Sequence, residues 1–207
     1  MGSSTGSSRG LRVAFGAVLI VGLLALAGCG TTAASSTHSP TPSDETPTPQ
    51  DSGYTIEDTP AGFVYQDATT GYALTFPQRP DVAPLANNQS EQDAYYVSSS
   101  DQVSNQFVSI GQVLDKTPDL RAQVLGAAQS LNPSGQISAA SYTLGGLDAA
   151  QAQFTTGESQ GMPSYLVGQP AEIVVAGDGY RFYELIAIGG TSEQRRAFFD
   201  SFKRIDN

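Results

Sequence analysis

One serine of the chain stands in a sequence pattern that hydrolases use for their nucleophile. The stretch Gly157-Glu158-Ser159-Gln160-Gly161 matches G-x-S-x-G, in which a strand precedes the serine, a helix follows it and a downstream histidine takes its proton. Here Met162-Pro163 follows the stretch, and the only histidine, His38, lies far upstream. We interpret the match as chance and predict that the protein is not an enzyme.

The residue types also give little support to a metal or phosphate site. Transition metals bind mainly to histidine and cysteine, and the chain has one of each, His38 and Cys29. The glycine pairs Gly145-Gly146 and Gly189-Gly190 lack the lysine of a phosphate-binding loop. We predict no metal and no cofactor. A calcium site or a carboxylate-pair glycosidase stays open as an alternative, because the 20 acidic residues offer many pairs and none stands out.

The net charge restricts the partners further. Ten basic and 20 acidic residues give a net charge of −10. Such a surface repels phosphate backbones. We therefore predict that the protein does not bind nucleic acid.

The single cysteine follows a segment with the pattern of a secretion signal. Residues 1–12 are polar and include Arg9 and Arg12, and residues 13–28 form an uncharged, mostly apolar run. A basic region, an apolar region and small residues at a cleavage point are typical of a signal peptide. The run of sixteen residues is short for a membrane span, so an uncleaved membrane helix with an incidental cysteine is the weaker alternative.

The segment Leu26-Ala27-Gly28-Cys29 resembles the lipobox of bacterial lipoproteins. The resemblance implies that the Cys29 sulfur receives a diacylglyceride, and that residues 1–28 are then removed as the signal peptide. Two acyl chains anchor a protein stably in a membrane, whereas one chain binds only marginally. The expected location is the outer face of the bacterial cytoplasmic membrane, with the lipid as the contact to it.

The next segment, residues 29–53, predicts a disordered linker. Residues 30–52 contain eleven Ser or Thr, four Pro and no aliphatic side chain larger than Ala. Such a segment buries too little apolar surface to offset the entropy of ordering it. We therefore place a single folded domain at residues 54–207.

That domain shows the patterns of several strands and two helices. Alternation of apolar residues predicts strands at 72–76, 94–98, 107–114, 136–144, 147–155, 172–176 and 180–188. Gly177-Asp178-Gly179 predicts a tight hairpin. The first helix is expected to begin at Thr117-Pro118, and the second after Thr191, with Gln194 completing a capping box. The apolar stripe of the second helix is expected to consist of Phe198, Phe202 and Ile205, widened by Phe199. These elements predict an α+β fold, an antiparallel sheet of about six strands flanked by helices.

Two further features resemble a known superfamily. One is the run Tyr65-x-Asp67 into Gly71-Tyr72-x-Leu74-x-Phe76-Pro77-x-x-Pro80, and the other is the terminal run Phe198-Phe199-x-Ser201-Phe202-Lys203. Together they resemble the PsbP/Mog1-like superfamily, including actinobacterial lipoproteins of the LpqN type. The resemblance implies an α/β/α sandwich with a C-terminal helix, and a role in binding or assembly at the cell envelope. The resemblance does not identify any ligand-binding residue in this chain.

The expected function is that of a non-catalytic binding or accessory module for a cell-envelope protein or complex. The alternative is a carrier that holds a lipid or a small apolar ligand between sheet and helix. Tyrosines are candidates for lining a pocket or an interface, although on alternating strands about half of them should be core. The candidates are Tyr95, Tyr96, Tyr165, Tyr180 and Tyr183.

Overall fold

The computed structural model describes residues 53–84, 94–114, 116 and 118–205. Their helices are α1 (Leu120–Leu131) and α2 (Ser192–Asp200), and a short 3₁₀ turn spans Ser164–Leu166. Neither helix is long and apolar enough to cross a bilayer. The strands of these residues are β1 (Tyr54–Thr59), β2 (Gly62–Asp67), β3 (Tyr72–Phe76), β4 (Asp81–Pro84), β5 (Tyr95–Ser100), β6 (Gln106–Val113), β7 (Ala139–Leu144), β8 (Leu147–Thr155), β9 (Pro170–Gly177), β10 (Arg181–Ile188) and β11 (Lys203–Arg204).

The strands form two antiparallel sheets. The large sheet has the order β4-β5-β6-β10-β9-β8-β7, and the small sheet has the order β1-β2-β3-β11. This arrangement confirms the predicted α+β class with its C-terminal helix. The described residues hold more strands than the predicted six or so, because short segments such as β4 and β11 become strands only through partners distant in sequence.

The two faces of the large sheet are covered by different elements. On one face α1 packs against β8 and β9, with Val124 and Ala128 fully buried. The small sheet and α2 cover the other face. Successive residues of β10 divide between the two sides, since Phe182 joins the cluster beneath α1 whereas Tyr183 and Leu185 join the cluster beneath the small sheet.

Aromatic rings fill the space between the large sheet and the layer of α2 and the small sheet. Phe198 lies 5.1 Å from Phe107, and Phe202 lies 5.1 Å from Tyr183 and 5.8 Å from Tyr72, measured between ring centroids. Each of these side chains is at most 3% exposed. A carrier with its ligand between sheet and helix would need this volume, so the packing disfavours the carrier alternative.

The first helix begins later than the sequence predicts. Asp119, and not Thr117, precedes its first residue, and the Asp119 carboxylate accepts hydrogen bonds from the backbone N–H groups of Arg121 (3.0 Å) and Ala122 (3.1 Å). Thr117 itself lies outside the described residues. Aspartate is a strong N-cap because its carboxylate satisfies helix N–H groups that have no partner in the helix, so the helix begins at the residue after it.

The second helix has the predicted start but an earlier end. Gln194 Oε1 accepts from the Thr191 N–H (2.8 Å), and the Gln194 N–H donates to Thr191 Oγ1 (3.2 Å), so the capping box is present. The helix ends at Asp200, whereas the sequence pattern continues its apolar stripe through Phe202 to Ile205. The chain turns because Ser201 Oγ donates to the Phe198 carbonyl (2.7 Å) and accepts from the Thr75 N–H of β3 (3.0 Å).

Candidate functional site

The predicted lipid-attachment motif lies outside the described residues. Cys29 and the preceding residues Leu26, Ala27 and Gly28 all precede residue 53, as does His38. The signal peptide, the linker and the lipidation of Cys29 therefore stay predictions. The candidate site on the domain has to be sought among the strands and helices.

The serine of the G-x-S-x-G stretch lies in a loop between β8 and the 3₁₀ turn. Its backbone carbonyl accepts a hydrogen bond from the Met162 N–H (3.1 Å), and the side chain of Ser159 is half-buried. A nucleophile elbow places its serine between a strand end and the first turn of a helix. The geometry at Ser159 is that of an ordinary reverse turn.

The candidate site is a groove between α2 and the end of the large sheet. It has a volume of about 510 Å³, which lies within the usual range for ligand pockets. It is partly open to solvent. The groove is lined by Tyr142, Gln151, Gln153, Phe154, Pro170, Ala171, Glu172, Ser192, Arg195, Arg196 and Asp200.

Strand register places the polar residues of the groove floor side by side. Gln153 of β8 lies opposite Glu172 of β9 in the ladder, so both side chains project from the same face. Gln151, two residues earlier on β8, donates its side-chain N–H to the Glu172 carboxylate. The floor therefore offers amide donors, amide acceptors and one carboxylate in a row.

Helix α2 supplies the charged wall of the groove. Arg195 Nη1 donates to the backbone carbonyls of Gly189 and Gly190, each at 2.9 Å, which fixes its guanidinium at the helix start. Arg196 pairs with Asp200 one turn later, with 3.4 Å between Nε and Oδ2, and both side chains are exposed. An exposed pair of this kind contributes little to stability, so a ligand can exchange for it at small cost.

The hydroxyl of Tyr142 on β7 is influenced by charges of both signs in the groove. Burial raises the pKa of its hydroxyl, the carboxylates of Asp200 and Glu172 raise it further, and the Arg196 guanidinium lowers it. The hydroxyl therefore stays protonated at neutral pH and can donate a hydrogen bond. Together with the glutamines and arginines, it gives the groove the donors and acceptors that a polar chain such as a polypeptide backbone requires.

The predicted tyrosine candidates divide between core and surface. Tyr183 is fully buried in the core, and its hydroxyl donates to the Thr70 carbonyl at 2.9 Å. Tyr180 is 70% exposed at the β9–β10 connection. Tyr96 and Tyr165 are half-buried on the α1 side of the large sheet, near enough for Tyr165 to raise the pKa of Tyr96.

Sequence reasoning did not single out the groove residues or Glu184, which also lies on the α1 side of the sheet. The groove residues come from β7, β8, β9 and α2, and only the tertiary fold brings them together. The sequence could have drawn attention to Glu184, because it is the only carboxylate within the otherwise mostly apolar strand Arg181–Ile188. Among the strands and helices of the structure, no group of three or more His, Cys, Asp or Glu is placed to hold a metal ion.

Comparison with known proteins gives matches among solved structures alone. No protein-family profile and no curated protein sequence matches the chain. A solved protein of Bacteroides thetaiotaomicron VPI-5482 matches 73% of this chain at 12% identity with a TM-score of 0.40, and the match covers 48% of that protein, about half of its length.

Two further solved structures correspond to the kinds of protein that the sequence resembles. The cyanobacterial PsbP protein, CyanoP, of Synechocystis sp. PCC 6803 is 13% identical, with a TM-score of 0.44 and coverage of 68% of this chain and 91% of that one. LpqN of Mycobacterium tuberculosis, described as involved in cell envelope biogenesis, is 11% identical, with a TM-score of 0.40 and coverage of 65% and 83%.

Proposed function

We propose that the protein is a lipoprotein anchored at the outer face of the cytoplasmic membrane, and that its domain is a non-catalytic binding module for a cell-envelope protein or complex. The groove beside α2 is the surface through which it binds. The observation that carries the proposal is the lining of this groove, which presents hydrogen-bonding side chains in a row in a partly open cavity.

The anchor is supported by the sequence pattern around Cys29. A basic start, an apolar run and the lipobox-like Leu26-Ala27-Gly28-Cys29 occur in the order that export and lipidation require. The linker then lets the domain search the space near the membrane. Tethering raises the local concentration of the domain relative to other envelope proteins, so a weak groove contact suffices for function.

The groove is better suited to a polypeptide than to an apolar small molecule. Its α2 wall carries Arg195, Arg196 and Asp200, and its floor carries Glu172, so charges of both signs are present. The edge strand β7 borders the groove through Tyr142, and among the described residues β7 pairs only with β8. A sheet edge beside a polar groove favours a segment of extended chain.

The anchor gives a first prediction. Replacing Cys29 with serine removes the sulfur that carries the lipid, so we expect the variant to lack the diacylglyceride and to keep its signal peptide. Intact-mass measurement checks both points. A Cys29→Ser protein that stays with the membrane and still loses residues 1–28 would show that the cysteine is not the anchor.

The groove gives a second prediction, which is tested by cross-linking in intact cells. A photoreactive phenylalanine analogue at Gln153, an exposed floor residue, is expected to give a discrete protein adduct. The matched control is the same analogue at Tyr180, which is 70% exposed at the opposite end of β9. Equal adducts from both positions, or none from Gln153, would contradict the proposed site.

A further inference from the structure

A carboxyl group lies on the α1 side of the large sheet, where apolar side chains are expected. Glu184 is in the central strand β10, and the alternation with Tyr183 and Leu185 turns its side chain away from the aromatic core. Its neighbours across the strands are Ile110 of β6 and Val175 of β9. The carboxyl thus lies between hydrocarbon side chains.

The sheet around Glu184 is only partly covered. On β9, beneath α1, Ile173 and Val175 are fully buried. Towards β5 the described side chains on this face are only half-buried, and we call this partly covered patch the trough. The trough consists of Tyr96, Ile110, Tyr165, Glu184 and Ile186.

No described side chain neutralises the Glu184 carboxyl. Among the hydrogen bonds and ion pairs of the described residues, none involves Glu184. Burial is the cause that raises the pKa of its carboxyl, to about 7. The Tyr165 hydroxyl is already occupied by Ser100 Oγ at 3.2 Å, and Tyr96 lies close enough for the Glu184 charge to raise its pKa beyond the effect of burial.

We propose that the trough is a binding site for an organic cation, an ammonium or guanidinium group on a short apolar stem, with Glu184 as its counter-ion. The stem contacts Ile110 and Ile186, and the faces of Tyr96 and Tyr165 attract the positive charge. A metal ion fits less well, because a single carboxylate supplies too few oxygen ligands. The net negative charge of the chain raises the local concentration of cations around it.

The site implies a pH dependence with a fixed sign. A cation binds the ionised form of Glu184, so below about pH 7 binding has to displace a proton and the affinity falls by about tenfold per pH unit. The other titratable groups that alternation places on this face of the described sheet are Tyr96, Asp81 at the edge strand β4 and Asp148 at the start of β8. Tyr165 reaches this face from the 3₁₀ turn, and α1 brings the exposed Asp119 and Arg121 at its start. The pKa of Tyr96 is raised above 10, so it does not titrate in this range.

The test is a titration of the full chain with n-butylammonium and n-butylguanidinium, followed by NMR of isotope-labelled isoleucine methyl groups. We expect saturable shifts at Ile110 and Ile186 at pH 8, weakening about tenfold per unit below pH 7, and no comparable binding of n-butanol. Glu184→Gln should weaken binding at least about tenfold, since a buried charge partner is lost. The matched control Glu57→Gln changes an exposed carboxylate of the small sheet and should bind as the unchanged protein does.

Several results would overturn the proposal. Any one of three results would show that Glu184 is not the counter-ion of a bound cation. These are shifts that do not saturate, equal binding by n-butanol, and equal affinity of Glu184→Gln and the unchanged chain. An affinity that does not change with pH would also contradict the role of Glu184, and this measurement needs no substitution. The outcome is independent of the groove, which lies on the other face of the sheet, so failure here leaves the cross-linking prediction intact.

Discussion

Replacing Phe202 with alanine is expected to lower the free energy of unfolding by about 3–5 kcal/mol, the usual cost of deleting a buried phenylalanine. Phe202 is 3% exposed. Its ring stacks on Tyr72 with an interplanar angle of 19° and meets Tyr183 edge-on. It also lies so close to Gly145 that a Cβ there would be 2.7 Å from the ring. The residue therefore joins the small sheet, the large sheet and the β7–β8 hairpin.

Urea unfolding followed by tyrosine fluorescence or circular dichroism measures this loss. Lys203→Ala is the matched control, because it changes the next residue, whose side chain is exposed; the expected change is within about 0.5 kcal/mol. A loss below about 1 kcal/mol for Phe202→Ala would mean that the two layers are not joined through this ring.

Replacing Glu184 with glutamine is expected to stabilise the domain at pH 8, by on the order of 2 kcal/mol. The pKa of the carboxyl is raised from 4.5 to about 7 by burial, so the folded state holds the proton more tightly than the unfolded state does. Stability therefore falls as the pH rises from about 4.5 to about 7 and stays reduced above that. The expected gain in unfolding free energy is smaller than the full pKa shift would give, because the side chain of Glu184 keeps some contact with water.

The measurement is the difference in unfolding free energy between Glu184→Gln and the unchanged chain at a series of pH values. The difference should be largest above pH 7 and vanish towards pH 4.5, since the unchanged carboxyl is then protonated in both states. Glu57→Gln, at an exposed position of β1, serves as the control for losing one negative charge. A Glu184→Gln variant that is less stable at pH 8, or equally affected at every pH, would contradict this account of the carboxyl.

Several elements follow from local sequence because their causes are local. The alternation of Tyr72, Leu74 and Phe76 predicts β3, and all three side chains are buried. Asp178-Gly179 predicts the β9–β10 hairpin, in which Asp178 Oδ1 accepts from the Arg181 N–H at 2.8 Å and Gly179 has a φ of +100°. Such a backbone angle suits glycine, which has no Cβ to clash.

Other elements depend on partners that the sequence does not reveal. The two residues of β11 form a strand only because Lys203 and Arg204 pair with Ala73 and Tyr72, which lie far away in the chain. The division of the strands into two sheets has the same origin, since alternation tells which residues share a face but not which strand lies alongside. The end of α2 at Asp200 likewise depends on a contact between Ser201 and β3.

The two candidate sites differ in how far the sequence predicts them. The groove needs the register of β8 against β9 and the position of α2, so no local pattern marks it. Two features of the sequence point to the trough. They are a lone glutamate, Glu184, in an apolar strand and the tyrosines Tyr96 and Tyr165. Tyr96 and Glu184 come together only through the order β5-β6-β10 in the large sheet, and Tyr165 comes from the 3₁₀ turn.

The proposed function places the domain beside the membrane before any groove contact can form. The most direct test is the intact mass of the native protein, extracted from its own membrane and followed by fragmentation of its N-terminal peptide. The account predicts a chain that begins at Cys29, without residues 1–28, and that carries a diacylglyceride on the cysteine sulfur. A native chain that retains its leader, or one with an unmodified Cys29 sulfur, would contradict the anchor and with it the proposed mode of action.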